Sequence, residues 1–286
     1  MSILVTGASG QLGRLVVEAL LARGVAPSEV VAAARRPEAL DGLAARGVAT
    51  ARLDYDDPAS ARAAMAGVDR LLLVSGPVVG NRVAQHTAVI DAAAAAGVEL
   101  LAYTSFSKAA TTTMPLGAEH RGTETVIRAS GLPYALLRNN WYSEGYLGTL
   151  AQARETGEVV ASVGDGRVAS VARADLAEAA AAVLATGGHE NTVYELGGDH
   201  AWDYDELAEV LTDLLERNVV HRRITPEEHQ AALVAAGAPE GAAAFAVSLD
   251  TGIREGWLGE VTGDLSRLVG RPTVPLIETL RAGLTR

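Results

Sequence analysis

Three glycines near the N-terminus have the spacing of a phosphate-binding turn. Gly7, Gly10 and Gly13 form a GxxGxxG pattern between a short apolar run and an amphipathic segment that continues to Arg23. A dinucleotide site requires this order of strand, glycine turn and helix, because the turn brings the pyrophosphate to the positive end of the helix. A plain strand-to-helix turn is the alternative interpretation. The predicted cofactor contacts are Gly7, Ala8, Ser9, Gly10, Gln11 and Leu12.

The residues that follow the second predicted strand indicate the type of nucleotide. An acidic residue there would favour NAD, because it accepts hydrogen bonds from the ribose 2′-hydroxyl, whereas a basic residue would pair with the 2′-phosphate of NADP. The strand over Val30–Ala34 is followed by Arg35 and Arg36, with no acidic residue at the strand end. We therefore predict NADPH as the cofactor, with Arg35 as the contact to its 2′-phosphate. Two solvated surface arginines are the alternative interpretation.

Two further strand ends offer contacts to the same nucleotide. Asp54 follows the third strand-like segment and could contact the adenine, although acidic loops more often cap a helix, as Asp57 would. A fully apolar fourth strand ends in a turn that consists of Ser75, Gly76 and Pro77. In a doubly wound sheet this turn faces the nicotinamide ribose at the carboxyl edge.

The proton donor of short-chain dehydrogenases is missing from the sequence. In those enzymes a Tyr gives or takes the proton, and a Lys four residues later lowers its pKa. No Tyr of this chain has a Lys at that offset, and Lys108, the only lysine, could reach a substrate or be solvated. Two classes of function remain. One is an enzyme whose acceptor needs little acid help, such as a quinone, and the other is a sensor that binds NADP without chemistry.

The composition argues against several other functions. The net charge is −11, from 24 basic and 35 acidic residues, which disfavours nucleic-acid binding. There are no cysteines, so disulfides and cysteine metal sites are excluded, and the histidines lack the spacing of metal ligands. Neither a signal peptide nor an apolar stretch long enough to span a bilayer is visible. We expect a cytoplasmic protein without a metal and without membrane insertion.

Strand-like and helix-like segments alternate through the first half of the chain. This pattern predicts an α/β protein with a doubly wound parallel (Rossmann) sheet and a ligand crevice at the strand ends. After about residue 150 the pattern changes to a smaller mixed α/β C-terminal lobe, with capped helix starts at Asp175, Asp203 and Thr225. We predict an NAD(P)-binding Rossmann domain over 1–150. A smaller substrate-binding lobe is predicted over 151–286, with some segments that return to the sheet.

The chain resembles the NmrA-like branch of the atypical short-chain dehydrogenases over essentially its whole length. Within that branch it is most similar to the bacterial NADPH-dependent, zinc-free quinone oxidoreductases. The glycine turn and Arg35 carry part of the resemblance, but many nucleotide binders share the former. The most specific motif runs from Arg138 to Glu144. Further matches lie at residues 102–105, 193–196 and 271–273.

This resemblance implies a two-electron reduction of quinones by NADPH. The segment after the sixth strand would line the nicotinamide side, where its amides can bond a carboxamide or a quinone oxygen. Its aromatic rings can stack on a flat ring, or they can pack between the lobes. The cofactor contacts expected on this side are Tyr103, Asn139, Asn140, Trp141 and Tyr142. The expected substrate contacts are Phe106, His120, Asn140, Trp141 and Tyr142.

Two of these substrate contacts have plain alternatives. Phe106 could cover the nicotinamide or belong to the core. His120 lies on the helix after the fifth strand, near the position where related reductases carry a catalytic lysine. It could protonate a quinol oxygen, or it could be a solvated helix histidine.

The function that we predict is that of an NADPH-dependent quinone oxidoreductase, which acts on a small molecule and could form a homodimer. The alternative is an NADP(H)-binding redox sensor of the NmrA type, with little or no turnover. A third class reduces other carbonyls or alkenes, as isoflavone-reductase-like relatives do, and the missing Lys and Tyr disfavour it. Residues 231–246 are small and apolar, which suits either a helical lid or a dimer face.

Overall fold

A parallel sheet of seven strands forms the centre of the computed structural model, which describes residues 1–76 and 80–284. The strand order is β3-β2-β1-β4-β5-β6-β8, and all neighbouring strands pair in parallel. The order reverses between β1 and β4, as in a doubly wound fold. The predicted fold class is therefore confirmed. The strands of this sheet are β1 (Ile3–Val5), β2 (Val30–Ala34), β3 (Ala49–Arg52), β4 (Arg70–Leu73), β5 (Leu100–Phe106), β6 (Tyr134–Asn139) and β8 (Thr192–Leu196).

Helices cover both faces of the sheet, which is why its central strands are almost entirely apolar. One core cluster packs α1 and α7 on one face, and a second cluster packs α3, α4 and α5 on the other. The helices of the sheet domain are α1 (Gln11–Ala22), α2 (Asp41–Ala44), α3 (Pro58–Ala64), α4 (Arg82–Ala96), α5 (Pro115–Ala129) and α7 (Arg173–Ala185).

A smaller lobe packs around a third hydrophobic cluster and a two-stranded parallel sheet. Its strands are β7 (Glu158–Ala161) and β9 (Val220–Arg223). Between them, α7 and β8 lie with the main sheet, because α7 packs on α1 and β8 pairs with β6. The domain boundary at residue 150 stays a prediction. The remaining helices are α6 (Leu147–Thr156), α8 (Tyr204–Leu215), α9 (Pro226–Ala235), α10 (Glu240–Arg254), α11 (Asp264–Val269) and α12 (Leu276–Leu284).

Two of the three helix starts predicted after residue 150 are confirmed. Asp203 caps α8 by accepting hydrogen bonds from two backbone amides, and Thr225 forms a capping box with Glu228 at α9. The prediction for Asp175 is wrong, because α7 begins two residues earlier and the carboxylate is fully buried. Asp175 instead pairs with Arg271 at 2.8 Å and accepts a backbone hydrogen bond at 2.7 Å from the C-terminal segment.

The segment over 231–246 includes the end of α9 and the start of α10, and most of its residues are exposed. Its role as a lid or a dimer face stays a prediction. Among the described residues, no helix combines the length and apolar character needed to cross a membrane.

Candidate active site

The glycine turn joins β1 to α1 and packs closely against the first turn of that helix. Gly7 has a φ of +60°, in the left-handed region that glycine adopts without strain, and its carbonyl accepts the Gly10 amide at 2.9 Å. A Cβ added to Gly13 would lie 2.4 Å from the same carbonyl oxygen. The first turn of α1 therefore packs directly on the strand end, and its N-cap has no side-chain partner.

A first cleft with a volume of about 320 Å³ opens above this turn. It runs from the N-terminus of α1 past the ends of β2, β3 and β4, which is the switch point where this fold class binds ligands. The predicted cofactor contacts that line it are Gly7, Ser9, Gly10, Gln11, Leu12, Arg35, Asp54, Ser75 and Gly76.

One predicted contact of the turn is not available to a ligand. Ala8 is fully buried in the core, and its amide donates to the carbonyl of Ala33 at 2.9 Å. Neither its side chain nor its N–H faces the first cleft. The prediction for Ala8 is corrected on this ground: the residue joins the turn to β2 instead.

The two arginines after β2 differ in position. Both are exposed, but only Arg35 lines the first cleft. Arg35 makes no ion pair with any other residue in the described part of the chain, so its guanidinium is available to a phosphate. Asp54 also lines the cleft, and its carboxylate accepts the Asp56 amide at 3.2 Å.

Tyr55 lines the first cleft but was not among the predicted contacts. Its hydroxyl lies 2.6 Å from the hydroxyl of Thr6 and donates to the carbonyl of Val74 at 2.6 Å. Burial raises the pKa of Tyr55, so the phenol stays protonated. It holds the ends of β1 and β4 together beneath the cleft. The Tyr between two acidic residues in the loop was visible in the sequence, but nothing there showed which way it points.

The turn after β4 is held from three sides. The Ser75 amide donates to Thr104 at 2.8 Å, and the Gly76 amide donates to Nε2 of His86 at 3.1 Å. Arg82 donates from Nε to the Gly76 carbonyl at 2.9 Å. Ser75 lines both the first cleft and its neighbour, so this turn is where the two meet. Pro77, a further predicted contact, lies outside the described residues.

A second cleft, with a volume of about 290 Å³, continues from Ser75 towards the lobe. Its wall combines rings and apolar side chains with two guanidinium groups. The predicted residues that line it are Phe106, His120, Asn139, Asn140, Trp141 and Tyr142. Lining residues that were not among the predicted contacts include Arg82, Ser105, Leu116 and Arg173.

The segment after β6 is fixed by its own polar groups. The Asn140 amide group donates to the Leu258 carbonyl at 3.1 Å, and its oxygen accepts the Trp141 amide at 2.7 Å. The Arg173 guanidinium lies over the ring of Tyr142, 4.8 Å from its centroid. Burial raises the pKa of Tyr142, and the neighbouring Asn139 partly offsets that rise. Asn140 thus anchors the segment, while the rings form the wall of the second cleft.

His120 and Tyr103 form a buried pair beneath the second cleft. The Tyr103 hydroxyl lies 2.8 Å from Nδ1 of His120, and the imidazole stacks on Phe106 with 6.0 Å between ring centroids. His120 is only 6% exposed, so the interpretation as a solvated helix histidine is wrong. Burial, followed by the charge of Arg82, lowers the pKa of His120 to about 3. The imidazole is therefore neutral at physiological pH.

Tyr103 cannot touch a cofactor directly. Its side chain is completely buried and lines neither cleft. The prediction of Tyr103 as a cofactor contact is therefore corrected: its hydroxyl is directed at His120, between the sheet and α5.

Arg138 lies in the most specific motif of the sequence, and its contacts stabilise the fold. It donates to both carboxylate oxygens of Glu124, at 2.9 and 2.7 Å, and to Glu195 at 2.9 Å. The Ser105 hydroxyl, at the wall of the second cleft, donates to the same Glu124 at 2.6 Å. These bonds raise the pKa of Arg138. The network ties β5, β6, β8 and α5 together behind the cleft.

Lys108 does not line the second cleft. Its ammonium pairs with Glu260 at 3.1 Å, and neither residue lines that cleft. Within residues 1–76 and 80–284, no group of three or more potential ligand side chains is placed to hold a metal ion.

Comparisons with known proteins agree with this geometry. The model of a family described as NAD(P)H-binding matches residues 7–187. Quinone oxidoreductase 2 from Escherichia coli (strain K12) is 43% identical over 278 residues, which cover 97% of this chain and 97% of that protein.

Two solved structures share the whole architecture. The structure of an NADPH-dependent quinone oxidoreductase from Escherichia coli, complexed with NADPH, has a TM-score of 0.95 at 43% identity. It covers 99% of this chain and 100% of its own. The structure of the triphenylmethane reductase from Citrobacter sp., complexed with NADP(H), has a TM-score of 0.94 at 40% identity with the same coverage. The chain belongs to the NAD(P)H-binding family, as its resemblance to NmrA-like reductases predicted.

Proposed function

We propose that this protein transfers a hydride from NADPH to a quinone. The observation that carries the proposal is the junction of the two clefts at Ser75. A dinucleotide in the first cleft would bring its nicotinamide to that junction, where a flat acceptor in the second cleft could meet it. The relatives named as quinone oxidoreductases support the same reaction.

The residues of the first cleft fit a phosphorylated dinucleotide. The glycine turn leaves no Cβ between a pyrophosphate and the backbone, and the N-terminal amides of α1 face the cleft without a capping side chain. Arg35 at the cleft edge would pair with the 2′-phosphate. NADPH, when bound, supplies the hydride. The residues proposed to hold it are Gly7, Ser9, Gly10, Gln11, Leu12, Arg35, Asp54, Ser75 and Gly76.

The second cleft fits a flat acceptor that needs no acid at the moment of hydride transfer. Phe106, Trp141 and Tyr142 offer ring faces and edges for stacking. The low pKa of His120 leaves the imidazole neutral at neutral pH, so it does not act as an acid there. A quinone suits this site, because hydride transfer converts it to a phenolate, an anion that can form without an acid. Since phenols such as that of tyrosine have a pKa near 10, the phenolate takes up a proton afterwards at neutral pH. A proton can therefore come later from water.

A second candidate acceptor follows from the same observation. A triphenylmethane dye is a cation, so it becomes neutral when it accepts a hydride and requires no proton at all. The relative named triphenylmethane reductase favours testing this class. An NADP(H) sensor of the NmrA type is the alternative without turnover. The homodimer and the cytoplasmic location, both expected from the sequence, stay predictions.

One experiment separates these functions. Purified protein is mixed with NADPH and either 1,4-benzoquinone, a triphenylmethane dye or a simple ketone, and the loss of NADPH absorbance is recorded. We expect steady turnover with the quinone and no turnover with the ketone, because a ketone would leave an alkoxide that needs an acid. NADPH binding without turnover of any acceptor would contradict the enzyme and favour the sensor. Turnover of the dye alone would replace the quinone by the second candidate.

A further inference from the structure

Two hydrogen-bonded groups, one around His86 and one around His120, lie side by side between the turn at the junction of the clefts and the wall of the second cleft. The Gly76 amide donates to Nε2 of His86 at 3.1 Å, and Nδ1 of His86 lies 3.0 Å from the hydroxyl of Thr123. The Tyr103 hydroxyl lies beside Thr123 and 2.8 Å from Nδ1 of His120. The side chains of His86, Thr123, Tyr103 and His120 are all buried. Of these four, His120 is the one that lines the second cleft.

The donor and acceptor roles around His86 follow from the backbone amide of Gly76. An amide N–H can only donate, so Nε2 of His86 accepts and its proton lies on Nδ1, which donates to Thr123. The Thr123 hydroxyl donates onward to the Glu119 carbonyl at 3.1 Å. None of these bonds uses the Tyr103 hydroxyl proton, so Tyr103 can donate it to Nδ1 of His120, 2.8 Å away. A neutral imidazole carries one N–H, and that arrangement places it on Nε2, the nitrogen not bonded to Tyr103.

We propose that His120 donates this Nε2–H to the acceptor oxygen on which negative charge develops, and that Tyr103 is the positioning residue that sets the tautomer and orientation of His120. The proposal rests on the proposed quinone reduction and identifies the residue that recognises the acceptor. It replaces the sequence-based expectation that His120 protonates the quinol.

The proton balance of the reaction is consistent with a donor that keeps its proton. NADPH would supply the hydride: its carbon–hydrogen bond would break, a bond between that hydrogen and the quinone would form, and the two electrons would reduce the quinone to the hydroquinone anion and leave NADP⁺. The imidazole hydrogen bond would stabilise that anion, and water would supply the one proton that completes the hydroquinone. A neutral N–H aimed at a developing oxyanion is an established way to lower such a barrier. Donation by Tyr103 to the other ring nitrogen strengthens the Nε2–H as a donor.

The groups packed around His120 keep the imidazole neutral. Arg82 and His86 on α4 face it from one side, with Tyr103 and Phe106 on β5 beneath it. Burial and the positive charge of Arg82 both disfavour a second proton on the ring. The geometry therefore offers a hydrogen-bond donor at this position rather than an acid.

A second Tyr–His pair in the protein provides a control for the pair of Tyr103 and His120. Tyr194 and His189 repeat the contact at the far edge of the sheet, with the hydroxyl 2.8 Å from Nδ1 and 5.9 Å between ring centroids. Neither residue lines a described cleft. Tyr194→Phe removes the same kind of bond without touching the proposed site, so it controls for a merely structural effect.

The test combines kinetics with a direct measurement of the tautomer. We expect His120→Leu to lower kcat for benzoquinone about 100-fold, as loss of an oxyanion donor does elsewhere. His120→Gln, which retains an N–H donor, should restore most of that loss. Tyr103→Phe should lower kcat about tenfold, with the NADPH Kd unchanged, because only the ring's orientation and donor strength are lost. Tyr194→Phe should leave kcat and KM unchanged.

The tautomer is read by ¹⁵N NMR in a complex with NADP⁺ and benzoquinone, two oxidised partners that cannot react. We expect the His120 proton on Nε2, and a proton on Nδ1 would overturn the proposal. Full quinone turnover by His120→Leu would overturn it as well, even while the wild-type enzyme supports the proposed function. If the wild-type protein binds NADPH and reduces no quinone, the proposed function fails, and this inference fails with it.

Discussion

The two clefts are built in different ways although they meet at one serine. The first is made largely of backbone: a glycine turn, the amide end of α1 and the ends of three strands. The second is made of side chains that come from α4, β5, α5, the segment after β6 and the start of α7. The glycine turn at the centre of the first cleft is therefore encoded by a few consecutive residues, whereas the second cleft has no such local centre and exists only once distant elements have packed.

This difference suggests how the two clefts would respond to change. The glycine turn and the start of α1 form what we call the backbone cradle. It tolerates almost no added volume, because β1 and α1 cannot separate without loss of the sheet. A wall of side chains can be altered one ring at a time. We therefore expect all-or-none effects in the first cleft and graded effects on acceptor affinity in the second. The following predictions test that contrast, beginning with the largest expected effect.

Gly13→Ala is the sharpest test of the backbone cradle. The added Cβ would lie 2.4 Å from the Gly7 carbonyl oxygen, so α1 must move away from the turn. We expect the NADPH Kd to rise by more than about 100-fold, which corresponds to roughly 3 kcal/mol of overpacking. Gly148→Ala, in α6, is the matched control, because a Cβ there meets nothing within 4 Å. Normal NADPH binding by Gly13→Ala, measured by fluorescence titration, would refute the cradle.

Arg35→Ala tests the one side chain of the first cleft that we expect to choose between cofactors. Loss of a charge-assisted pair with the 2′-phosphate should raise the Kd for NADPH about 10- to 100-fold and leave that for NADH nearly unchanged. Arg36→Ala is the control, since Arg36 is exposed and does not line the cleft. Equal losses for both cofactors would show that Arg35 does not contact the 2′-phosphate.

Much of the fold could be predicted from the sequence because its signals are local. The strand over Val30–Ala34 and the helix stop at Gly97, which has a φ of +74°, are set by residues within one or two turns of the chain. Asp175 shows the limit of such reasoning. Its spacing to Glu178 resembles a capping box, but its carboxylate is bound by a segment almost one hundred residues later.

The candidate site shows the same contrast between local sequence signals and the packing of distant elements. The glycine turn and Arg35 were identified from neighbouring residues, and both lie at the first cleft. Arg173 follows no recognisable motif and reaches the second cleft only because α7 returns to the sheet beside Tyr142. Tyr103 was placed on the correct strand, but its direction depends on the packing of α5. Residues in a local motif or in the family resemblance could be predicted, whereas side-chain directions set by the packing of distant elements could not.

Trp141→Ala tests whether the side-chain wall serves the acceptor or the cofactor. Trp141 lines only the second cleft, so we expect the KM for benzoquinone to rise about five- to tenfold through lost stacking. The NADPH Kd should not change. Trp257→Ala, which removes a partly buried tryptophan elsewhere in the lobe, is the control. An unchanged quinone KM together with a weaker NADPH Kd would assign Trp141 to the cofactor instead.

The two buried histidines behind the second cleft should make stability depend on pH. Burial, with a smaller contribution from Arg82, lowers the pKa of His86 to about 3, and that of His120 is also about 3, below the ordinary value of 6.5. Between about pH 3 and pH 6.5 the unfolded chain binds more protons than the folded one, so stability falls as the pH is lowered from 6.5.

Each histidine contributes up to about 1.4 kcal/mol per pH unit to this fall, and the contribution is complete above the unfolded pKa. Urea unfolding between pH 6.5 and pH 5 measures it. His86→Gln should flatten the slope by about that amount, because one of the two neutral rings is gone. An identical slope in wild type and His86→Gln would mean that His86 does take up a proton in the folded protein, which the amide of Gly76 bonded to its Nε2 argues against.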